Sequence, residues 1–293
     1  MTGVQTCALS DLASKLLRTA NPLASVCGRV CAQENQCEAR CSLAGRFNPV
    51  AIGHLERFVA DWERTRTHEA HPQVTRAEKV AIIGSGPAGL VCAGELARQG
   101  YAVTIYEALH APGGVLRYGI PEFRLPKDIL DWEIGLLKDL GVDIQCNVVI
   151  GRTLSLEQLT SKLGYSAIFI GTGAGLPQFL GIPGENLVGV YSANEYLTRI
   201  NLMGGYRFPE YGTPVIRARQ AVVVGRGDPA VTEQLDRHLA DRLALVARAA
   251  STRANLQSAA HVRISAESAE QPVELAATDL EMTRSEEHTS ELQ

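Results

Sequence analysis

One stretch constrains the fold of this chain more than any other: Lys79 to Glu107, KVAIIGSGPAGLVCAGELARQGYAVTIYE. Val80 to Ile83 is a short apolar run between a charge and a glycine, and it reads as a buried parallel strand. It leads into GSGPAGL, with Gly84, Gly86 and Gly89 at G-x-G-x-x-G spacing. Leu90, Ala93, Leu96 and Ala97 then recur at helical spacing, Gly100 ends the helix, and Ala102 to Tyr106 predicts a second strand that delivers Glu107.

Each residue type in the turn has a physical reason. Gly84 permits the tight turn, Gly86 lets bare backbone approach a diphosphate, and Gly89 allows close helix–strand packing. Ser85, Pro87 and Ala88 complete the turn and the start of the helix. The unpaired N–H groups and positive dipole end of that helix attract phosphate. Glu107 can accept hydrogen bonds from both ribose hydroxyls, and its charge repels a phosphate on that ribose. The expected ligand is therefore FAD or NAD. An ordinary βαβ turn is the alternative; the ordered strand, turn, helix, strand and acid favour the dinucleotide.

With 293 residues the chain is long enough for two domains with cores. A net charge of -4 gives no reason to expect nucleic acid or an anionic membrane as partner. No apolar run is long enough to span a bilayer and no secretory signal is visible, so the expectation is a cytoplasmic protein. The two ends, MTGVQTCALSDL and RSEEHTSELQ, resemble translated sequencing-adapter DNA. Residues 1–12 and 284–293 are expected to be non-native, with the natural protein extending further on both sides.

Four of the seven cysteines cluster as Cys27, Cys31, Cys37 and Cys41, with three, five and three residues between them. In a chain with no export signal this reads as metal binding, and the spacing leaves zinc and iron–sulfur both open. Leu55, Phe58, Val59 and Trp62 form a helical stripe expected to dock on the following domain. The polar stretch with His68 and His71 reads as a linker. Beyond the nucleotide unit, Pro126 to Leu140 predicts a helix with Ile129, Leu130, Ile134, Leu137 and Leu140 on its buried face. Val142 to Ile150 predicts a strand, Ser155 a cap for a helix over Leu156 to Leu163, and Ala167 to Ile170 a buried strand ending in GTGAG. Cys92 and Cys146 read as buried free thiols; no CxxC accompanies them, which argues against a redox disulfide of the thioredoxin reductase type. Gln220 to Val224 followed by GRGDPA repeats the strand and glycine turn, with Gly225, Gly227, Asp228 and Ala230 in the phosphate-binding pattern and Arg226 and Pro229 disturbing it. Arg248, after a later strand, suits the 2′-phosphate of NADPH or is a surface arginine.

Three stretches carry a resemblance: NPLASVCGRVCAQENQCEARCSLAGRFNPVAIGHLERFVADW, APGGVLRYGIPEFRLPKDILDWEI, and GTGAGLPQFLGIPGENLVGVYSANEYL. Together they resemble the NAD(P)H-dependent FAD and iron–sulfur oxidoreductases of the glutamate synthase small-subunit family, which includes the N-terminal region of dihydropyrimidine dehydrogenase and related ferredoxin–NADP and sulfide oxidoreductases. The resemblance implies that Gly113, Gly114, Leu116, Gly119 and Arg124 lie along FAD, that Ile150 approaches its adenine end, and that the segment from Gly171 leads from the FAD domain into the NAD(P)H domain; Gly171, Thr172 and Gly173, at the carboxyl end of a parallel strand, stand where such sheets bind ligands. It implies 4Fe–4S ligation by Cys31, Cys37, Cys41 and the oxygen of Glu56, with Cys27 at a position that is often cysteine; the family's earlier cysteine motif is absent from this chain. The expected architecture is α/β. A helical 4Fe–4S-type module (13–64) is followed by a linker (65–78), a Rossmann-like FAD domain (79–200) and a partial NAD(P)H-binding domain (214–280). The implied activity is electron transfer from NADPH (or NADH) through FAD and clusters to an electron-accepting partner subunit or domain, oligomerisation being possible. A non-catalytic FAD-binding relay, an inactive fragment and a zinc-stabilised module are the alternatives.

Overall fold

The structure, a computed structural model, describes residues 3–66, 74–177, 179, 181–214, 220–224 and 261–265. It begins with a helical module: α1 (Gly3–Ala20), α2 (Ala24–Val30) and α3 (Ile52–Arg64), with short 3-10 turns at Gln33–Asn35 and Glu38–Arg40. Asn21 turns the chain from α1 to α2, its side-chain oxygen accepting the Leu23 N–H at 3.1 Å. Small residues set the α2–α3 contact: a Cβ on Gly28 would lie 2.6 Å from the Arg57 nitrogen, and Ala60 is fully buried. The sequence expectation for α3 is corrected here. Leu55 and Phe58 face solvent, and Ala60 and Glu63 are turned inward. Periodicity marks an apolar stripe; the neighbouring helix decides which face is covered.

The second body is a parallel sheet in the order β3-β2-β1-β4, from β1 (Lys79–Ile83), β2 (Ala102–Tyr106), β3 (Asp143–Gln145) and β4 (Tyr165–Ile170). Helices α4 (Pro87–Arg98), α5 (Val115–Tyr118) and α6 (Lys127–Asp139) interleave with it. Ile82 and Ile105 pair across β1 and β2 and are fully buried beneath Leu90, Leu130, Ile134 and Leu137. On the other face, Ala81, Ile83 and Tyr106 pack with Leu159 of α7 (Leu156–Ser161).

The predicted helix over 126–140 is observed as α6, whereas the strand predicted over 142–150 narrows to β3, with Ile150 reduced to an isolated bridge to Leu154. β4 is an edge strand of this sheet, with Phe169 and Ile170 exposed rather than buried. Cys92 and Cys146 are free thiols, half-buried rather than sequestered. Ser155 caps α7 in a reciprocal box with Gln158, the two bonds being 3.1 and 2.8 Å. Ser155→Ala is expected to cost about 1 kcal/mol, measurable as a shift in the denaturant midpoint.

A further strand β5 (Val190–Ser192) leads into α8 (Ala193–Leu197), and β6 (Gln220–Val224) and β7 (His261–Ser265) complete an antiparallel sheet of order β5-β7-β6. The sequence predicted β6 as the leading strand of a second parallel unit; among the described residues it pairs antiparallel with β7. No helix among the described residues is long and apolar enough to cross a membrane.

The helical module meets the sheet domain through a buried polar contact. Glu133 of α6, 2 % exposed, receives two N–H bonds from Arg18 of α1, at 2.6 and 3.1 Å, and the Ser25 N–H of α2 at 3.0 Å. Arg18 also donates to Glu63 of α3 at 2.7 Å and to the Pro22 carbonyl, and its guanidinium lies 5.1 Å from the centre of the Trp132 ring. Burial works against the Arg18 charge, but Glu133 and then Glu63 more than restore it, raising its pKa above the usual value.

Candidate nucleotide site

The carboxyl ends of β1, β2, β3 and β4 are stitched together by backbone bonds that continue the sheet: Gly84 N–H to Tyr106, Gly171 N–H to Ile83 and Glu107 N–H to Gln145, each 2.8 Å. Five glycines meet there. Gly84 has φ +98°, and a Cβ on it would lie 2.3 Å from the Gly171 carbonyl oxygen. A Cβ on Gly89 would lie 2.0 Å from the Gly84 oxygen, and one on Gly114 would lie 2.7 Å from the Gly86 Cα. Gly86 itself is different: a Cβ there meets nothing within 4 Å. That gap lies at the N-terminus of α4, with Pro87 at its first position, so unpaired N–H groups border open space. The space fits a diphosphate, because a side chain would fill it and bare backbone leaves it clear.

Glu107 sits inside this construction, 6 % exposed. Its Oε2 accepts the Ser85 N–H at 2.9 Å and also the Ser85 hydroxyl, and its Oε1 accepts the Leu109 N–H at 2.9 Å. The Ser85 oxygen in turn accepts the Gly113 N–H at 2.9 Å. Ser85 therefore joins three segments: the glycine turn, the end of β2 and the Gly113–Gly114 loop. Sequence reasoning placed Ser85 in the turn but missed this linking role; the signal was a hydroxyl amid glycines and alanine. Of about four acceptor positions on a carboxylate, three are taken by protein donors, leaving room for one ribose hydroxyl rather than the two expected. The Tyr118 hydroxyl is pushed up by burial and then by the Glu107 charge.

The other expected cofactor residues fall around this core. Leu116 and Gly119 are buried on or just after α5, Arg124 is exposed in the loop before α6, and Ile150 is half-buried beside Leu154. Gly171 abuts Gly84, whereas Thr172 and Gly173 are exposed beyond β4. Gly225, Gly227, Asp228 and Arg248 lie outside the described residues.

Of the proposed metal ligands, Cys27 lies within reach of Cys31 and feels the charge of Glu56, but the set does not close around a common centre. Cys31 and Cys37 are exposed, and Cys27 and Cys41 are half-buried. Both oxygens of Glu56 are already engaged, by the side-chain amides of Asn21 and Gln33 at 3.0 Å each. Burial raises the Cys27 thiol to about 11, so it is protonated at neutral pH, while the N–H groups of Val50, Leu43 and Ala44 lower that of Cys41. Among the described residues no three histidine, cysteine or acidic side chains form a group able to hold a metal ion. In this arrangement the donors present do not fit a cluster.

A parallel sheet with this glycine turn and a buried acid closing the second strand defines the class of dinucleotide-binding oxidoreductase domains. The chain belongs to the pyridine nucleotide-disulphide oxidoreductase family, whose model matches residues 78–277. Residues 5–68 match the model described as dihydropyrimidine dehydrogenase domain II, 4Fe-4S cluster. The chain is 47% identical over 170 residues to the NAD-dependent dihydropyrimidine dehydrogenase subunit PreT of Escherichia coli O157:H7, covering 57% of this chain and 41% of that protein. It is 38% identical to the Salmonella typhimurium PreT, covering 75% of this chain and 51% of the relative. It is 34% identical to the Escherichia coli K12 glutamate synthase [NADPH] small chain, covering 75% and 47%. The chain thus spans about half the length, or less, of these curated relatives.

Proposed function

We propose that this chain binds FAD at the Gly84–Gly89 turn and forms part of an NAD(P)H-dependent oxidoreductase that delivers electrons to a partner subunit. One observation carries the reading: the backbones of Gly84, Gly86, Gly89, Gly114 and Gly171 converge beside the buried Glu107, and of these five only Gly86 has open space where a side chain would stand. Bound FAD would supply hydride acceptance and one-electron release. The chain's own residues hold and orient it: the N-terminal N–H groups of α4 meet the diphosphate, and Glu107, fixed by Ser85 and Leu109, meets the ribose. The relatives' printed names, a dehydrogenase subunit and a synthase small chain, support a partner subunit as electron acceptor. The match of residues 5–68 supports a cluster-bearing role for the helical module in the longer proteins.

Purified protein titrated with FAD should quench the flavin fluorescence at one equivalent, and NADPH added without oxygen should bleach the bound flavin. Protein that folds yet leaves FAD fluorescence unchanged would remove the reading. A second reading, an FAD-holding relay that takes no hydride from NAD(P)H, is favoured by the antiparallel pairing of β6. Binding without bleaching would select it.

A further inference from the structure

Between α5 and α6 the chain makes one irregular loop, GIPEFRLP, residues 119–126. It has no strand partner among the described residues, and short-range bonds help to shape it. Lys127, the first residue of α6, turns back on the loop: its Nζ donates to the Ile120 carbonyl at 2.6 Å and to the Leu125 carbonyl at 2.9 Å. Those two carbonyls stand near opposite ends of the loop. The Lys127 N–H meets the Glu122 carboxylate at 3.1 Å, so the loop also caps the helix that follows. The Arg124 and Leu125 N–H groups both return to the Pro121 carbonyl at 3.0 Å, and Leu125 is fully buried in the core.

We propose that Lys127 is a positioning residue: one amine grips the Ile120 and Leu125 carbonyls and so fixes the 119–126 loop in the shape that presents Gly119 and Arg124. The consequence for the cofactor rests on the FAD reading above; the clamp itself does not. The charged groups around the amine are Glu122 of the loop, Arg117 of α5 and Asp131 of α6. Burial lowers the Lys127 pKa from 10.5 to about 8; Arg117 pushes the same way, and Glu122 and Asp131 oppose it. A neutral amine keeps two N–H donors, enough for both carbonyls, so the clamp survives deprotonation. Between the folded and unfolded pKa values the unfolded chain binds more protons. The lysine's charged form therefore burdens the fold below that window, and stability rises with pH through it.

The test is amide hydrogen exchange on the full chain without nucleotide, comparing the parent with Lys127→Met. The amides of Ile120, Arg124 and Leu125 should exchange on the order of tenfold faster in the variant, while those of β1 stay protected. Unchanged loop exchange overturns the clamp. The parent should also gain stability relative to Lys127→Met as pH rises from 8 towards 10.5. A flat difference contradicts the burial of the amine. If the variant does not fold, the parent decides. With an amine-acylating reagent at alkaline pH, a clamped Lys127 reacts more slowly than the exposed Lys138 and Lys162 despite its lower pKa, whereas a free one reacts faster than both. FAD titration separates the two readings. Weaker binding in Lys127→Met supports the positioning role, and equal binding removes it. A parent that binds no FAD while its loop still depends on Lys127 leaves the clamp standing and the FAD reading fallen.

Discussion

Glu133→Ala is expected to destabilise the protein by roughly 3–5 kcal/mol, the range for removing one partner of a buried ion pair. The loss has three parts. The Arg18 guanidinium keeps Glu63 but loses two bonds, the Ser25 N–H at the start of α2 loses its acceptor, and the buried volume of the carboxylate is left empty. For a domain of this size the midpoint of thermal unfolding should fall on the order of 10 °C. The double variant Arg18→Met/Glu133→Leu should recover part of that, because burying neither charge is cheaper than burying one alone. Recovery stays partial, since Glu63 is then left without its guanidinium. Differential scanning of the three proteins checks the order: parent, double variant, Glu133→Ala. A double variant no better than the single would show that the contact works by shape, not by charge. The same contact ties the helical module to α6, and α6 packs on α4 through Leu137, where a Cβ on Gly94 would lie 3.0 Å from a Leu137 methyl. Because α4 starts at the glycine turn, loosening Glu133 should also weaken nucleotide binding, by less than it weakens the fold.

That contact was not legible in the sequence, and the reason is physical. The pattern of α6 shows Ile129, Leu130, Ile134 and Leu137 at helical spacing, and Glu133 on the same face looks like an interruption. Only a partner 115 residues away in the chain explains a carboxylate there. The stripe of α3 failed in the converse way: Leu55 and Phe58 satisfy an apolar pattern and stay exposed, while the face with Ala60 and Glu63 turns inward. Local periodicity identifies a face that would be stable when covered and is silent on which element covers it. The nucleotide unit was legible because its determinants are local. Strand, glycine turn, helix, strand and acid follow within Lys79–Glu107, and their meaning depends on backbone geometry that the residue types themselves impose. Lys127 stayed hidden because a lysine opening a helix reads as solvent-facing, and nothing in the spacing says that it folds back on two carbonyls.

The glycines of the turn separate fold from binding, and the second large effect follows from that separation. Gly89→Ala places a methyl 2.0 Å from the Gly84 carbonyl oxygen, a backbone atom that is itself locked to its neighbours, so strand and helix must part. The expected cost is about 3 kcal/mol, the upper range for overpacking, and it is paid whether or not nucleotide is present. Gly86→Ala meets no protein atom within 4 Å, and the Gly86 backbone, at φ -69° and ψ -179°, is open to any residue. Its thermal midpoint should match the parent's. If a diphosphate passes over this position, the added methyl takes its space, and FAD affinity should fall roughly tenfold to a hundredfold, the equivalent of 1–3 kcal/mol of overpacking. A bulkier Gly86→Val should deepen the loss with little further change in stability. Scanning calorimetry and flavin titration on the parent and these three variants read both quantities at once. Should Gly86→Val bind FAD as the parent does, the diphosphate does not lie over Gly86, and the helix N-terminus of α4 would have to be relieved of its assigned role; should Gly86→Ala unfold, the open space beside it is filled by protein rather than ligand.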